Sequence, residues 1–263
     1  MLTVGSLFAG IGGFDLGLER AGMQVKWQVE IDSYCLKVLE KHWPHVKRYT
    51  DITTVRWEEV EPVDLVCGGF PCQPVSVAGK RKGTADERWL WPEFVRCLGV
   101  LRPRYVLIEN VPGLLTANRG RSFAELLRDL AACGYNAEWD CLPASAFGAP
   151  HWRDRMWFIA YSGEVRCDTK GAEQSLQGLG AHGEAQETSD ANRARFSEQW
   201  RAFAISAEQF TSECRHRWET EPNVCRMDDG VPNRVDRIAS LGNAVVPQVV
   251  EWIGRRIMEA NKQ

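Results

Sequence analysis

No uninterrupted apolar run approaches the roughly 20 residues that a membrane-spanning helix needs, although hydrophobic residues make up 44% of the 263-residue chain. The expectation is a protein that crosses no membrane yet holds enough apolar side chains for a full core. An excess of one charge is missing too: 32 Lys and Arg stand against 35 Asp and Glu, a formal net charge of -3. Any polyanion must therefore be met by local basic patches. The nine cysteines, an odd number, contain no CxxC pair, and no basic-plus-apolar leader precedes the first strand candidate. These absences exclude a disulfide miniprotein and place the chain, as an expectation, in a reducing cytoplasm with free thiols.

What is present is an alternation. From residue 1 to 161, strand candidates "TVGSLF", "VKWQVE", "VDLVCG", "YVLIEN", "AEWDCL" and "RMWFIAY" are interleaved with helix-length segments at 15–21, 33–42, 92–101 and 122–133. Ser122 with Glu125 three residues on reads as a capping box for the last of these. Such alternation predicts an α/β fold with a doubly wound, mostly parallel sheet. After Tyr161 the pattern breaks. Residues 163–190 carry six acidic against two basic residues and few large apolar side chains, as an exposed excursion does. Between 191 and 217 the balance becomes five basic to three acidic. There Phe196, Trp200, Phe203, Ala207 and Phe210 fall on one helical face. From 240 the chain turns apolar again and ends in an amphipathic helix. The division expected is a main domain over 1–161, a small inserted region over 162–232 and a returning segment over 233–263.

Two stretches carry chemistry. "SLFAGIGGFDLGL" sets Gly10, Gly12 and Gly13 between a strand and a helix, where glycine permits a tight turn or close approach of a ligand. Glu30, twenty residues beyond Gly10, is placed to accept bonds from two ribose hydroxyls. The third glycine of the dinucleotide fingerprint is missing, since Asp15 stands there, which favours an adenosyl ligand without a pyrophosphate. "DLVCGGFPCQPVSVAGKRKG" ends a buried strand sharply and holds Cys72 between Pro71 and Pro74. Alone, that cysteine is open to three readings: a packed thiol, as expected for Cys67, Cys97, Cys133 and Cys141, a metal ligand, or a nucleophile. Glu109 closes "YVLIEN" at the same sheet edge, where burial would raise its pKa and let it give a proton. A thiolate, a protonatable carboxyl and an adenosyl cofactor together fit addition to an electron-poor ring.

These residues resemble the DNA (cytosine-5) methyltransferases of bacteria and phages. The matching pieces occur in the family's order: "FAGIGG", "EID", "DI", "GGFPCQPVS", "ENV", "HWRDR" and "GNAVVP". The resemblance covers residues 3 to about 161 and 231 to about 258. It implies a Rossmann-like fold and S-adenosyl-L-methionine as cofactor. Phe8, Gly10, Ile11 and Gly12 would line it, Glu30 would hold its ribose, and Ile31, Asp51 and Ile52 would meet its adenine. Pro71 and Asn243 would close the pocket. Cys72 would be the nucleophile on carbon 6 of a flipped-out cytosine, with the Phe70 carbonyl and Glu109 reading the amine and ring nitrogen 3. Arg155, supported by Arg153, would hold the carbonyl oxygen.

The substrate implied is double-stranded DNA, met by Phe70, Ser76, Lys80, Arg81 and Lys82 and, in a target-recognition region over 162–232, by Arg193, Arg195, Arg201, Arg215 and Arg217. A monomer in a bacterial cell or phage-infected host, in a restriction-modification setting, completes that expectation. Two positions depart from the family. His151 replaces the glutamine that often heads "QxRxR", and Ala78 stands where some members place a polar gap-filling residue. Cys214, His216 and Cys225 fit no common zinc spacing, so no metal is expected. The rival readings are a tRNA-directed relative, for which no Cys-Phe-Thr signature occurs in 162–232, and a catalytically silent DNA-binding regulator.

Overall fold

The computed structural model describes residues 1–71, 89–149, 151–162 and 234–262. Along the chain these form β1 (Thr3–Leu7), α1 (Gly13–Arg20), β2 (Gln24–Val29), α2 (Ser33–His42), β3 (Lys47–Tyr49), β4 (Leu65–Gly68), α3 (Trp91–Leu101), β5 (Tyr105–Asn110), α4 (Arg121–Ala132), β6 (Tyr135–Pro143), β7 (Asp154–Ser162), α5 (Arg234–Asn243) and α6 (Pro247–Ala260). The strands make one seven-stranded sheet in the order β3-β2-β1-β4-β5-β7-β6. Strands β1 to β5 pair in parallel, whereas β7 runs antiparallel to both β5 and β6. Only a 3-10 turn, Ala144–Phe147, interrupts the short connection from β6 to β7. A parallel crossover needs about a dozen residues and usually a helix, so β7 comes back antiparallel.

Every residue of β5 is buried, as expected of a central strand covered on both faces. Its side chains alternate between two cores. Val106 and Ile108 join Phe94 and Leu126 on the α3 and α4 face. Tyr105 and Leu107 join Leu18 and Ile253 on the α1 and α6 face. The C-terminal helix α6 thus packs directly on α1 and supplies five buried side chains, Val249, Val250, Trp252, Ile253 and Ile257, to that core.

Three local expectations are corrected. Strand β3 had no signal in the sequence because its three residues, "KRY", show no apolar alternation. The capping box at Ser122 does not form: Gly120, in the left-handed region at φ 81, caps α4, and the buried Ser122 hydroxyl has no hydrogen-bond partner among the described residues. Among the cysteines read as packed groups, Cys67 and Cys97 are buried, but Cys141 is exposed and Cys133 half-buried. Cys141 lies on β6, an edge strand of the sheet, within a run of three exposed residues, Trp139, Asp140 and Cys141.

The chain continues from β1 to β2 on one side and places β4 on the other. Winding reverses between β1 and β4, which opens a crevice at their C-terminal ends.

Candidate active site

A cavity of about 640 Å³ occupies that crevice, a size that suits a cofactor-sized ligand. Phe8 and Gly10 enter it after β1, Glu30 and Ile31 after β2, and Asp51 and Ile52 after β3. Phe70, Pro71 and Glu109 line it after β4 and β5, and Arg155 and Asn243 complete the wall. Parallel winding explains the convergence, since every loop that follows a parallel strand emerges at the same edge.

The first loop is folded back by Phe8, Gly10 and Gly12, at φ 52, 55 and 86. The Gly10 N–H donates to Glu30 Oε2 at 2.7 Å. Glu30 Oε1 accepts from the N–H groups of Ile31 and Asp32 at 2.9 and 2.7 Å. A carboxylate offers about four acceptor positions. Three are taken, leaving about one for a ligand hydroxyl, where the sequence reading assigned both ribose hydroxyls to Glu30. Ile11 and Gly12, expected to line the cofactor pocket, are not in the cavity wall. Gly12 faces Trp43 instead, and a Cβ there would collide with the indole. Asp51 accepts from the Thr53 N–H at 2.9 Å and from its hydroxyl at 2.7 Å, opening the 3-10 turn Ile52–Thr54. Those bonds hold its carboxyl below the usual range, the Thr53 hydroxyl most of all.

The other half of the cavity is built around Glu109. Its side chain is buried, and desolvation raises its pKa to about 7 against the opposing pull of Arg155 and Arg153. Arg155 Nε lies 2.8 Å from Glu109 Oε1. Room for the carboxyl comes from Gly69, where a Cβ would stand 2.9 Å from Oε2. Phe70 is anchored edge-on to Trp89 and tilted against Trp91, with ring centroids 5.3 Å apart in both pairs. The residues bracketing 71–88 in sequence therefore meet in the core. The Phe70 carbonyl accepts a bond from Asn110 Nδ2 at 3.3 Å, and Asn110 Oδ1 accepts from the Val111 N–H at 2.9 Å.

Arg153, expected beside the base-holding Arg155, does not line the cavity. Its Nη2 donates to the carbonyls of Gly242 and Ala244 at 2.9 and 2.7 Å. Cys72, Ser76, Lys80, Arg81 and Lys82 lie outside the described residues, as do Arg193, Arg195, Arg201, Arg215, Arg217 and the aromatic stripe of 196–210. Three contributors to the site escaped sequence reasoning. Asn110 stood inside the quoted "ENV" without a role, because a bond across two loops leaves no periodicity. Cys35 and Ser240, 3.5 Å apart across α2 and α5, are brought to the wall only by the return of the C-terminal segment.

Residues 2–227 match the C-5 cytosine-specific DNA methylase family. The chain belongs to that family. The type II methyltransferase M.BsuFI of Bacillus subtilis is 36% identical to it over 161 residues, which are 61% of this chain and 39% of the relative. M.HgiCII of Herpetosiphon aurantiacus is 38% identical over 157 residues, 58% of this chain and 36% of the relative. The chain thus spans about two fifths of the length of these relatives. Among solved structures, a putative DNA modification methyltransferase encoded within an E. coli prophage is 28% identical with a TM-score of 0.53. That match covers 67% of this chain and 48% of the other. The sheet described above is the Rossmann-like sheet of C-5 methyltransferases.

Proposed function

We propose that the protein is an S-adenosyl-L-methionine-dependent methyltransferase acting on carbon 5 of cytosine in double-stranded DNA. The observation that carries this reading is Glu109: an enclosed carboxyl with a pKa near 7, gripped by Arg155 in a cavity that also presents Glu30 and Asp51. The cofactor fits this wall. Glu30 holds one acceptor position toward a ribose, while the exposed aliphatic side chain of Ile31 and the buried one of Ile52 offer apolar contact to an adenine. When bound, S-adenosyl-L-methionine supplies an electrophilic methyl group.

The chain's own residues do the rest. Cys72, next after the cavity-lining Pro71, adds as thiolate to carbon 6 of the base. Glu109, half protonated near neutrality, gives its proton to ring nitrogen 3 as that bond forms. Electron density moves to carbon 5, the atom that takes up the methyl group; the carbon 5 proton then leaves to solvent, the carbon 6–sulfur bond breaks to release Cys72 as thiolate, and ring nitrogen 3 returns its proton to Glu109. Arg155 holds the base's carbonyl oxygen and keeps Glu109 in place. None of this can happen inside a stacked duplex, so the base is flipped out, at a cost of a few kcal/mol offset by pocket and phosphate contacts. Residues 162–232 serve as the target-recognition region, with Arg193, Arg195, Arg201, Arg215 and Arg217 as its DNA contacts. The chain acts as a cytoplasmic monomer. Its role is that of type II relatives, marking DNA in a restriction-modification setting.

Bisulfite sequencing of DNA from cells expressing the protein tests the proposal. Methylated cytosine in a fixed sequence context, lost in a Cys72→Ser variant, is the expected result. Unmethylated DNA in every context, or a Cys72→Ser variant as active as the parent, would overturn it.

A further inference from the structure

Arg153 has a backbone conformation, φ 31, that a residue with a side chain adopts only when its surroundings hold it there. Its carbonyl accepts from the Ala144 N–H at 3.2 Å, and its side chain is held by the end of α5. The last carbonyls of a helix lack partners and carry its negative pole. One guanidinium nitrogen of Arg153 satisfies two carbonyls there, those of Gly242 and Ala244, which flank Asn243 on both sides. The segment so pinned is a wall of the cavity: Ser240 and Asn243 line it, and Ser240 Oγ meets Cys35 Sγ of α2 at 3.5 Å. Just beyond, Val245 rests on the start of α1, where a Cβ at Gly13 would come 2.8 Å from its carbonyl oxygen. Two residues after Arg153, Arg155 pairs with Glu109.

We infer that Arg153 is a positioning residue for the cofactor wall rather than a group that holds the base. By terminating α5 it fixes Asn243 against the cavity, and by its place two residues before Arg155 it ties that wall to the Glu109 pair. Losing it lowers affinity for the cofactor, while losing Arg155 does not. The inference rests on the adenosyl-ligand reading of the cavity.

The test is calorimetric titration of the full-length protein with S-adenosylhomocysteine, with melting curves to confirm folding. Arg153→Gln, which cannot serve both carbonyls as a charged donor, should bind about tenfold more weakly, as loss of a charge-assisted hydrogen bond does. Arg153→Lys should recover to within about threefold of the parent, and Arg155→Gln should stay within about twofold. Hydrogen exchange over 240–246 should slow when the parent binds the ligand and quicken in Arg153→Gln. Equal affinity in parent and Arg153→Gln, or an equal loss in Arg155→Gln, would overturn the inference and leave the cofactor reading standing. A parent protein that does not bind S-adenosylhomocysteine would overturn both. Should Arg153→Gln melt below the assay temperature, exchange in the parent decides alone: unchanged protection of 240–246 on binding would refute the role.

Discussion

Glu30 and Glu109 end strands of the same sheet and face the same cavity, with β1 and β4 between their strands. Their surroundings differ. Glu30 sits in a loop that turns three backbone N–H groups onto its carboxylate. Glu109 receives none of these among the described residues; its partner is Arg155, and burial outweighs that partner. The Glu30 half of the cavity is thus a carboxylate gripped by backbone N–H groups that fix the loop's shape. The Glu109 half is a carboxyl that burial brings to the edge of ionisation near neutral pH, as the proposed proton transfer requires. One residue type does two jobs because the chain ends β2 in a nest of amides and β5 in a dry pocket.

The deepest cut through this contrast is Glu109→Gln. An amide keeps the shape but cannot give a proton, so turnover should fall by roughly 10² to 10⁴ while S-adenosylhomocysteine binding stays within about twofold. The same variant should be more stable than the parent at pH 8. Folded Glu109 binds its proton more tightly than unfolded Glu109, with a pKa raised from 4.5 to about 7. Its contribution to stability is therefore full below about 4.5 and lost as pH rises through about 7, a swing on the order of 3 kcal/mol. A melting temperature for Glu109→Gln at or below the parent's at pH 8 would contradict this.

Glu30→Gln attacks the other half. Replacing a charged acceptor by an amide that must also place two donors should weaken S-adenosylhomocysteine binding by about tenfold to a hundredfold. Turnover at saturating cofactor should fall far less, and equal losses in both would blur the division. The pH profile sharpens it further: turnover should decline above about pH 7, roughly tenfold per unit well beyond that point. In Arg153→Gln that limb should move up, because a cation that lowers the Glu109 pKa has gone. Asn110→Ala is the mildest test. It removes the Nδ2 bond to the Phe70 carbonyl, and turnover should drop by about fivefold to tenfold, equivalent to about 1 kcal/mol. Steady-state assays on the intact protein read each of these changes.

Much of this architecture was legible in the residues. Continuous apolar runs such as "VLI" in β5 can only be central strands, and glycines after β1 and β4 announce turns at the ligand-bearing edge. Glu30 and Glu109 stand where those strands end, so their arrival at one cavity follows from parallel winding. The ordered motifs from "FAGIGG" to "GNAVVP" carry the family resemblance in the residues alone. Other features are decided in three dimensions. The antiparallel return of β7 depends on a connection too short to cross the sheet, and it sets which way Arg153 and Arg155 point. Gly12 proves to make room for Trp43, a contact 31 positions away in the chain that no local pattern records. The roles of Asn110, Cys35 and Ser240 likewise arise from hydrogen bonds between segments distant in sequence. Pattern along a chain reports which faces are apolar and where turns fall, because those are local energies. Which polar groups end up dry, paired or shared is settled only when distant segments close on one another and exclude water.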